Sequence, residues 1–365
     1  MRTTCAVGGM PLRRDLYHTT YKSPIPLGGL KGLRLEAKDA NLSAYLTGSE
    51  QIMSIGFDRR QVLATAGFAA LPVAGMSASS AVPATSFRYS LNTATIQGQN
   101  LTLDQQVAVA AKAGYQGIEP WVRDVEKFRQ SGGSLSDLGK KCLDLGLAVE
   151  SAIGFPEWVV VEASRRQQSL ENLKKDLEGL KSLGCRRLAA PPAGATKATD
   201  IPLAAAAERF GVLARLTREF GMVAMVEVWG FSTFLNRLGD AAYIATECGS
   251  TNSAVLADIY HLYKGGSGFD GLGQLSPTGF QVFHINDYPS APPPADITDA
   301  HRVYPGDGVA PLEKILPVLA KNAPGCVLSL ELFNRDYWKR DANEVARTGL
   351  EKLKSVVARA MKTGS

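Results

Sequence analysis

The sequence has very little histidine, and most of it lies in one region. Only four of 365 residues are histidine, and His261, His284 and His301 follow one another in a single part of the chain. Two segments there, "VLADIYHLYKGG" and "QVFHINDYP", each hold an aspartate and a histidine three residues apart, in opposite order. This clustering indicates that His261 and His284 serve a common site, whereas His301, beside Arg302, is expected to be a loop residue.

The cysteines lack the spacing of a zinc site or a disulfide framework. The chain has five cysteines and no C-x-x-C pair. Such scattered single cysteines are not typical of metal-binding or disulfide-rich domains. We therefore predict that Cys142, Cys185, Cys248 and Cys326 are buried packing residues.

The basic charge of the chain is confined to its N-terminal part. The net charge is +5, but residues 1–81 hold nine Lys or Arg against five Asp or Glu, which leaves 31 against 30 for the rest. A nucleic-acid partner usually requires a basic surface. The nearly neutral body therefore argues against nucleic-acid binding.

No apolar run is long enough for a membrane span, but one resembles an export signal. In "FDRRQVLATAGFAALPVAGMSASSAV", two arginines precede a short, weakly apolar run and a tail of small residues. This pattern resembles a twin-arginine signal spanning residues 53–81. We expect residues 1–52 to be disordered or untranslated, and the mature protein to be periplasmic without a membrane span. If the signal is not functional, the protein is cytoplasmic.

Beyond residue 82 the pattern predicts a (β/α)8 TIM barrel. Apolar, β-branched runs alternate with segments of helical period, which is typical of a parallel sheet wrapped by helices. Thr102 and Gln105 have the spacing of a capping box, and Gly114 follows as a stop signal. The eight predicted strands are "FRYSLNTATI", "GIEPWV", "LAVESAIG", "CRRLAAPPA", "MVAMVEVW", "SAVLADIYH", "FQVFHIND" and "CVLSLELF".

Polar residues at the carboxyl ends of the last four strands predict a metal site. Catalytic groups of such barrels lie at these ends, where the sequence places Glu227, Asp258, His284 and Glu331. A buried charge such as Glu331 gains nothing unless something positive pairs with it. Three carboxylates and one imidazole suit a hard divalent ion, and we expect Mn²⁺, with Mg²⁺ or Co²⁺ as alternatives.

With these motifs in view, residues 87–360 resemble the xylose-isomerase-like TIM barrels, which include sugar phosphate isomerases, ketose 3-epimerases and endonuclease IV. The resemblance rests on "VEVWG", "ADIYH", "FHIND" and "LELFN". It implies that Glu227, Asp258, His284 and Glu331 are metal ligands and that His261 and Arg302 contact the substrate. The extra histidines that endonuclease IV needs in its early strands are absent from this sequence.

The expected reaction is isomerisation or epimerisation of a ketose or keto-sugar through an enediolate, with Glu227 and Glu331 as the acid and base. Glu119 lines the sugar pocket or pairs with loop cations, and the same alternatives apply to Glu150. Trp121, Trp158, Trp229 and Phe231 stack on sugar or pack the core. A keto-sugar or keto-inositol lyase or hydratase remains an alternative, and a non-catalytic carbohydrate-binding barrel is a less favoured one. The expected partner is a small-molecule sugar substrate, and the sequence is also compatible with a homo-oligomer.

Overall fold

The structure, a computed structural model, describes residues 33–38, 41–46 and 87–363. The chain divides into two units, Met1–Ser79 and Ser80–Ser365. In the first unit, β1 (Leu33–Lys38) pairs with β2 (Asn41–Leu46) as an antiparallel two-stranded sheet. The predicted export signal lies outside the described residues, as does most of the segment before it, so both stay predictions. No helix among the described residues is long and apolar enough to cross a membrane.

The second unit is a barrel of parallel strands that alternate with helices. Each strand pairs in parallel with its neighbours, and the last strand returns to pair with the first. The predicted TIM barrel is therefore confirmed. The strands are β3 (Phe87–Asn92), β4 (Gly117–Glu119), β5 (Ala148–Val149), β6 (Ala152–Ile153), β7 (Arg187–Ala190), β8 (Val223–Glu227), β9 (Ser253–Asp258), β10 (Val282–Ile285) and β11 (Cys326–Leu330).

One of the eight predicted strands is divided in two, and others are shorter than predicted: the first ends at Asn92 rather than Ile96, and the sixth ends at Asp258 rather than His261. The segment "LAVESAIG" forms two short strands, β5 and β6, rather than one. The first pairs with β4 and the second with β7, and a bridge from Trp121 to Ile153 continues the contact on the β4 side. The segment thus changes partner midway, and together the two pieces fill the third position of the barrel.

Helices cover the outside of the barrel, and the first of them begins and ends at the predicted capping and stop residues. The Thr102 N–H donates to the Gln105 side chain at 3.0 Å, and Gly114 ends α1 at φ +88°, as predicted. Leu173, Leu177 and Leu180 of α4 are buried. The helices are α1 (Leu103–Ala113), α2 (Val122–Gln130), α3 (Leu135–Asp144), α4 (Ala163–Leu183), α5 (Leu203–Glu219), α6 (Leu238–Glu247), α7 (Ile259–Lys264), α8 (Leu312–Asn322) and α9 (Ala342–Thr363).

The alternation of side chains along the strands determines which side chains face the interior of the barrel. Met225, Leu256, Val282 and Val327 belong to an apolar cluster that is separate from the larger core between strands and helices. Successive residues of a strand point to opposite faces, so every second residue shares a face. Glu227 stands two residues after Met225, and the inward face therefore ends in polar side chains just beyond the apolar cluster.

The four cysteines of the body are free and buried, as predicted. They occupy the packed interior, where burial raises the pKa of the Cys142 thiol to about 11 and that of Cys185 to about 12. Thiols in this state are inert packing groups.

Candidate metal centre and substrate cavity

Three of the four predicted ligands form a compact buried cluster at the carboxyl ends of the strands. One ligand atom each from Asp258, His284 and Glu331 lies within 4.8 Å of the other two. The fourth, Glu227, ends β8 and places its Oε1 4.0 Å from Nδ1 of His284. Four neighbouring strands thus bring together the residues that the sequence pattern selected.

The imidazole of His284 is oriented from behind by Glu119. Its Nε2 lies 3.0 Å from Oε2 of Glu119. Burial opposes ionisation of Glu119, but the charge and hydrogen bond of His284 lower its pKa. An ionised carboxylate only accepts hydrogen bonds, so Nε2 carries a proton. This arrangement directs Nδ1 towards the carboxylates, as a carboxylate partner does for metal-binding histidines.

Glu119 does not occupy the position expected of a substrate contact. It is fully buried and does not line the cavity described below. Its carboxylate accepts from Asn92 Nδ2 at 2.9 Å, from Ser329 Oγ at 2.7 Å and from Ser151 Oγ. Neither expected alternative holds, because the partners of Glu119 are His284 and these neutral donors rather than sugar or loop cations.

Arg302 joins the ligand cluster to the substrate side of the site. This fully buried side chain donates through Nη1 to Asp258 Oδ2 and Glu331 Oε2, both at 2.8 Å. Its guanidinium lies over the rings of Tyr260, at 4.5 Å, and Phe333, at 5.0 Å. The carboxylates therefore have a fixed cationic neighbour that balances part of their charge.

His261 is held as a neutral hydrogen-bond donor. Its backbone N–H donates to Asp258 Oδ1 at 2.8 Å, and its Nε2 lies 3.1 Å from Nη2 of Arg302. Because arginine cannot accept a hydrogen bond, Nε2 accepts and Nδ1 carries the proton. Burial and the charge of Arg302 lower the pKa of His261, which keeps it neutral. It also lines the cavity, where a substrate oxygen could accept from it.

A cavity of about 330 Å³ opens onto these groups. Its floor carries the carboxylates and Arg302, and its walls are largely aromatic. Such a mixture of apolar walls and a few placed polar groups is typical of small-molecule sites. The lining residues are Trp121, Ile153, Phe155, Glu227, Trp229, Phe231, His261, Asp299, Ala300, Arg302, Glu331, Phe333 and Arg335.

Trp121, Trp229 and Phe231 line this cavity, whereas Trp158 does not. Trp158 packs against Phe210 with ring centroids 5.1 Å apart and donates from Nε1 to the Pro191 carbonyl at 2.9 Å. It is 1% exposed and is therefore a core residue.

Buried polar atoms without partners show that the cluster fits a divalent ion. Eight buried side-chain atoms of the described residues have no hydrogen-bond partner. Two of them, Oε2 of Glu227 and Nδ1 of His284, can bind a cation, whereas Nδ1 of His261 and Nε of Arg302 are N–H donors. Nδ1 of His284 lies 3.2 Å from Glu331 Oε2 but is not aligned to donate. Buried polar atoms are normally satisfied, so the unpartnered oxygen and imidazole nitrogen are compatible with a bound cation. The oxygen and nitrogen donors suit several divalent ions and do not single out Mn²⁺.

The other polar residues flagged in the sequence serve the loops and the opposite end of the strands. Asp287 accepts backbone N–H groups from Tyr288, Gly306, Gly308 and Ala310, which fixes the loop before α8. His301 accepts the N–H of Thr298 at 3.0 Å and is the loop residue that was expected. Glu150 pairs with Arg88, Arg186 and Arg187 and does not reach the cavity.

A family model, described as the xylose isomerase-like TIM barrel, matches residues 107–356. The chain belongs to this family. The inosose isomerase of Bacillus velezensis is 25% identical over 269 residues, covering 72% of this chain and 94% of that protein. The 3-dehydroshikimate dehydratase of Pseudomonas aeruginosa is 24% identical over 274 residues, covering 72% of this chain but 41% of that protein.

Solved structures share the fold. The IolI protein, crystallised with a zinc atom, has a TM-score of 0.69 at 23% identity and covers 75% of this chain and 99% of its own. A D-psicose 3-epimerase structure has a TM-score of 0.59 at 16% identity, with coverages of 74% and 99%. With its inosose isomerase relatives, the chain is an isomerase- or epimerase-type enzyme.

Sequence reasoning missed Asn92, Phe155, Asp299 and Phe333. Asn92 ends β3, as Glu227 ends β8, and donates to both Glu119 and Glu331. The predicted first strand ran on to Ile96, so the strand-end rule did not select Asn92, which is where the strand ends in the structure. Asp299 binds Arg302 Nη2 at 2.5 Å from a loop. No periodic signal marks loop residues such as Asp299 and Phe155, because the approach of the loops to the barrel mouth decides their positions.

Proposed function

We propose that this protein is a divalent-metal-dependent isomerase or epimerase that acts on a keto-sugar or a cyclic polyol ketone. The observation that carries the proposal is the placement of two carboxylates at the floor of an aromatic cavity. Glu227 and Glu331 come from the two strands that flank the strands of Asp258 and His284. The inosose isomerase relatives support a cyclic ketone as one substrate class.

Glu227, Asp258, His284 and Glu331 would hold the ion. When bound, it would polarise the carbonyl and the adjacent hydroxyl of the substrate, which makes the neighbouring C–H more acidic. His261 and Arg302 would then hold substrate oxygens, since the former offers an N–H and the latter a guanidinium at the cavity floor. The aromatic walls exclude water and contact the apolar faces of the sugar.

The environments of the two glutamates suit opposite roles in proton transfer. Burial raises the pKa of Glu227, and repulsion from Glu331 adds to this. For Glu331, burial acts in the same direction, but the charges of His284 and Arg302 outweigh it and lower the pKa. Carboxyl groups whose pKa values are pushed apart can act as acid and base. Glu331 would take the proton from carbon, and Glu227 would return one.

A dehydratase or lyase is the second candidate. The relative named 3-dehydroshikimate dehydratase supports it, because removal of a proton next to a carbonyl also precedes loss of a β-hydroxyl. The residues required for the first step are the same. The two reactions differ only in whether the carbanion is reprotonated at carbon or forms a C=C bond while the β-hydroxyl group takes up a proton and leaves as water.

Solvent exchange tests the proposal. The protein, loaded in turn with Mn²⁺, Mg²⁺, Co²⁺ and Zn²⁺, is incubated in D₂O with inososes, ketoses and 3-keto-sugars, and products are read by NMR. We expect deuterium at the carbon next to the carbonyl, and an isomerised product identifies the isomerase. An unsaturated or dicarbonyl product identifies the lyase instead. Absence of carbon-bound exchange with every ion and sugar would contradict both.

A further inference from the structure

The mouth of the cavity carries apolar rings that proton transfer at its floor does not need. Phe155, in the loop after β6, and Phe231, in the loop after β8, are 41% and 47% exposed. They flank Trp229, with ring centroids 6.0 Å and 5.0 Å from it. We name these three residues the aromatic rim. Contiguous exposed apolar groups beside a binding cavity mark a surface that a ligand covers.

The aromatic rim is continuous with the floor of the cavity. Phe155 contacts Trp121 at 5.2 Å, and Phe231 contacts the ring of His261 at 5.7 Å. Trp121 in turn lies 6.0 Å from Phe333, which covers Arg302. A single sugar seated at the carboxylates would meet the inner rings, Trp121 and Phe333. The exposed edges of Phe155 and Phe231 extend beyond it towards solvent.

We propose that the aromatic rim is a second subsite that holds a ring linked to the reacting keto-sugar, so that the preferred substrate is a glycoside rather than a free monosaccharide. This rests on the proposed function, since it assumes that the reacting ketone lies at the carboxylates. The C–H faces of a second pyranose, or an aromatic aglycone, match rings that offer stacking surface and little hydrogen-bonding capacity.

The charges around the cavity agree with a neutral second ring. None of the three rim residues is charged. Among the lining cations, Arg302 is already bound by Asp258, Glu331 and Asp299. Arg335 lies in the loop after β11, where its guanidinium sits 4.3 Å over the ring of Trp338. The phosphate group of a phosphorylated sugar would be attracted to Arg335 rather than to the aromatic rim. A phosphorylated substrate would therefore be recognised by preferential binding of glucose 6-phosphate.

Binding without turnover provides the first test. The quenching of tryptophan fluorescence is titrated with glucose, glucose 6-phosphate, cellobiose and phenyl β-glucoside, because Trp121 and Trp229 line the cavity. We expect the two glycosides to bind about tenfold more tightly than glucose. Phe155→Ala and Phe231→Ala should each reduce that ratio. Tyr243→Ala on α6, a ring 40% exposed and outside the cavity lining, is the matched control and should leave the ratio unchanged.

Turnover provides the second test and separates this inference from the proposed function. The ratio of kcat/KM for a 3-keto-glucoside to that for the free 3-keto-sugar should exceed one and fall in the rim variants. Binding of cellobiose through the rim, together with no carbon-bound exchange in any inosose, ketose or 3-keto-sugar, would leave the subsite standing and contradict the proposed reaction. Equal binding of glucose and the glycosides, preference for glucose 6-phosphate, or an equal loss for glucose and glycosides in the rim variants would overturn the subsite.

Discussion

Buried carboxylates lie near both ends of the strands of this barrel, and their partners differ. Glu150 is 1% exposed and pairs with Arg88, Arg186 and Arg187, with N–O distances of 2.7, 3.3 and 3.1 Å. These arginines stand near the amino ends of β3 and β7. Glu227 and Glu331 are 3% exposed at the carboxyl ends, where Oε2 of Glu227 lacks a partner.

The difference separates structural charge from functional charge. A buried carboxylate whose oxygens are all met by arginines is complete within the protein. The carboxyl-end cluster combines an unpartnered oxygen, an unpartnered imidazole nitrogen and a cavity open to solvent. Burial of charge alone therefore does not locate the site, whereas incomplete pairing beside a cavity does.

The largest expected effect on kcat comes from replacing the carboxylate of Glu331, compared with the same replacement of Glu150 near the amino ends of the strands. Glu331→Gln keeps the shape of the side chain but cannot take a proton, so kcat should fall by about 10²- to 10⁴-fold. Glu150→Gln should leave kcat/KM within about twofold but lower the free energy of unfolding by about 2 kcal/mol, because the arginines lose a charged partner. Steady-state kinetics and urea unfolding of both variants provide the check. Comparable losses of kcat in the two variants would contradict the distinction between a functional Glu331 and a structural Glu150.

Metal affinity should distinguish the aspartate and histidine of the cluster from the aspartate of the neighbouring loop. Asp258→Asn and His284→Ala each remove a ligand and should weaken Mn²⁺ or Zn²⁺ binding by about 100-fold or more. Asp287→Asn, whose carboxylate binds four backbone amides instead, should change affinity far less. Isothermal titration calorimetry measures all three. Identical affinities would refute the ligand assignment while leaving the fold untouched.

The metal affinity of the carboxyl-end cluster should rise with pH. Burial raises the pKa of Glu227. Burial opposes a charge on His284, but Glu331 and Glu119 outweigh it and raise the pKa of His284. Both groups must release a proton before they can hold a cation, so affinity should rise with pH by up to about tenfold per unit for each proton released. Metal titrations between pH 6 and 9 measure the slope. Glu227→Gln should flatten it, and a flat profile in the native protein would contradict this account.

Sequence reasoning found the barrel and the polar residues that meet at its carboxyl end because both follow from one-dimensional regularities. Period-two apolar strands fix which residues face inward, and the end of each strand then fixes the height of Glu227, Asp258 and Glu331 in the barrel. The role of Glu119 behind His284 could not be derived, because it depends on which inward residue of a distant strand meets the imidazole. Phe155 was missed for a similar reason, since a loop without periodicity carries it to the mouth.

The smallest expected effect concerns the N-terminal part of the chain. Every residue assigned here to the metal cluster, the cavity or the aromatic rim lies between residues 87 and 363. We therefore propose that residues 53–81 serve export rather than catalysis, that residues 1–52 are not needed for activity, and that a chain starting at residue 82 retains kcat/KM within about twofold. Mass spectrometry of the protein recovered from the periplasm of an expressing bacterium tests the export prediction, with Arg59→Lys/Arg60→Lys as the variant that should block it. A shortened chain that folds but loses metal binding would show that the N-terminal part contributes to the site. Recovery of an uncleaved chain would refute the signal, because a cleaved leader cannot remain on the exported protein.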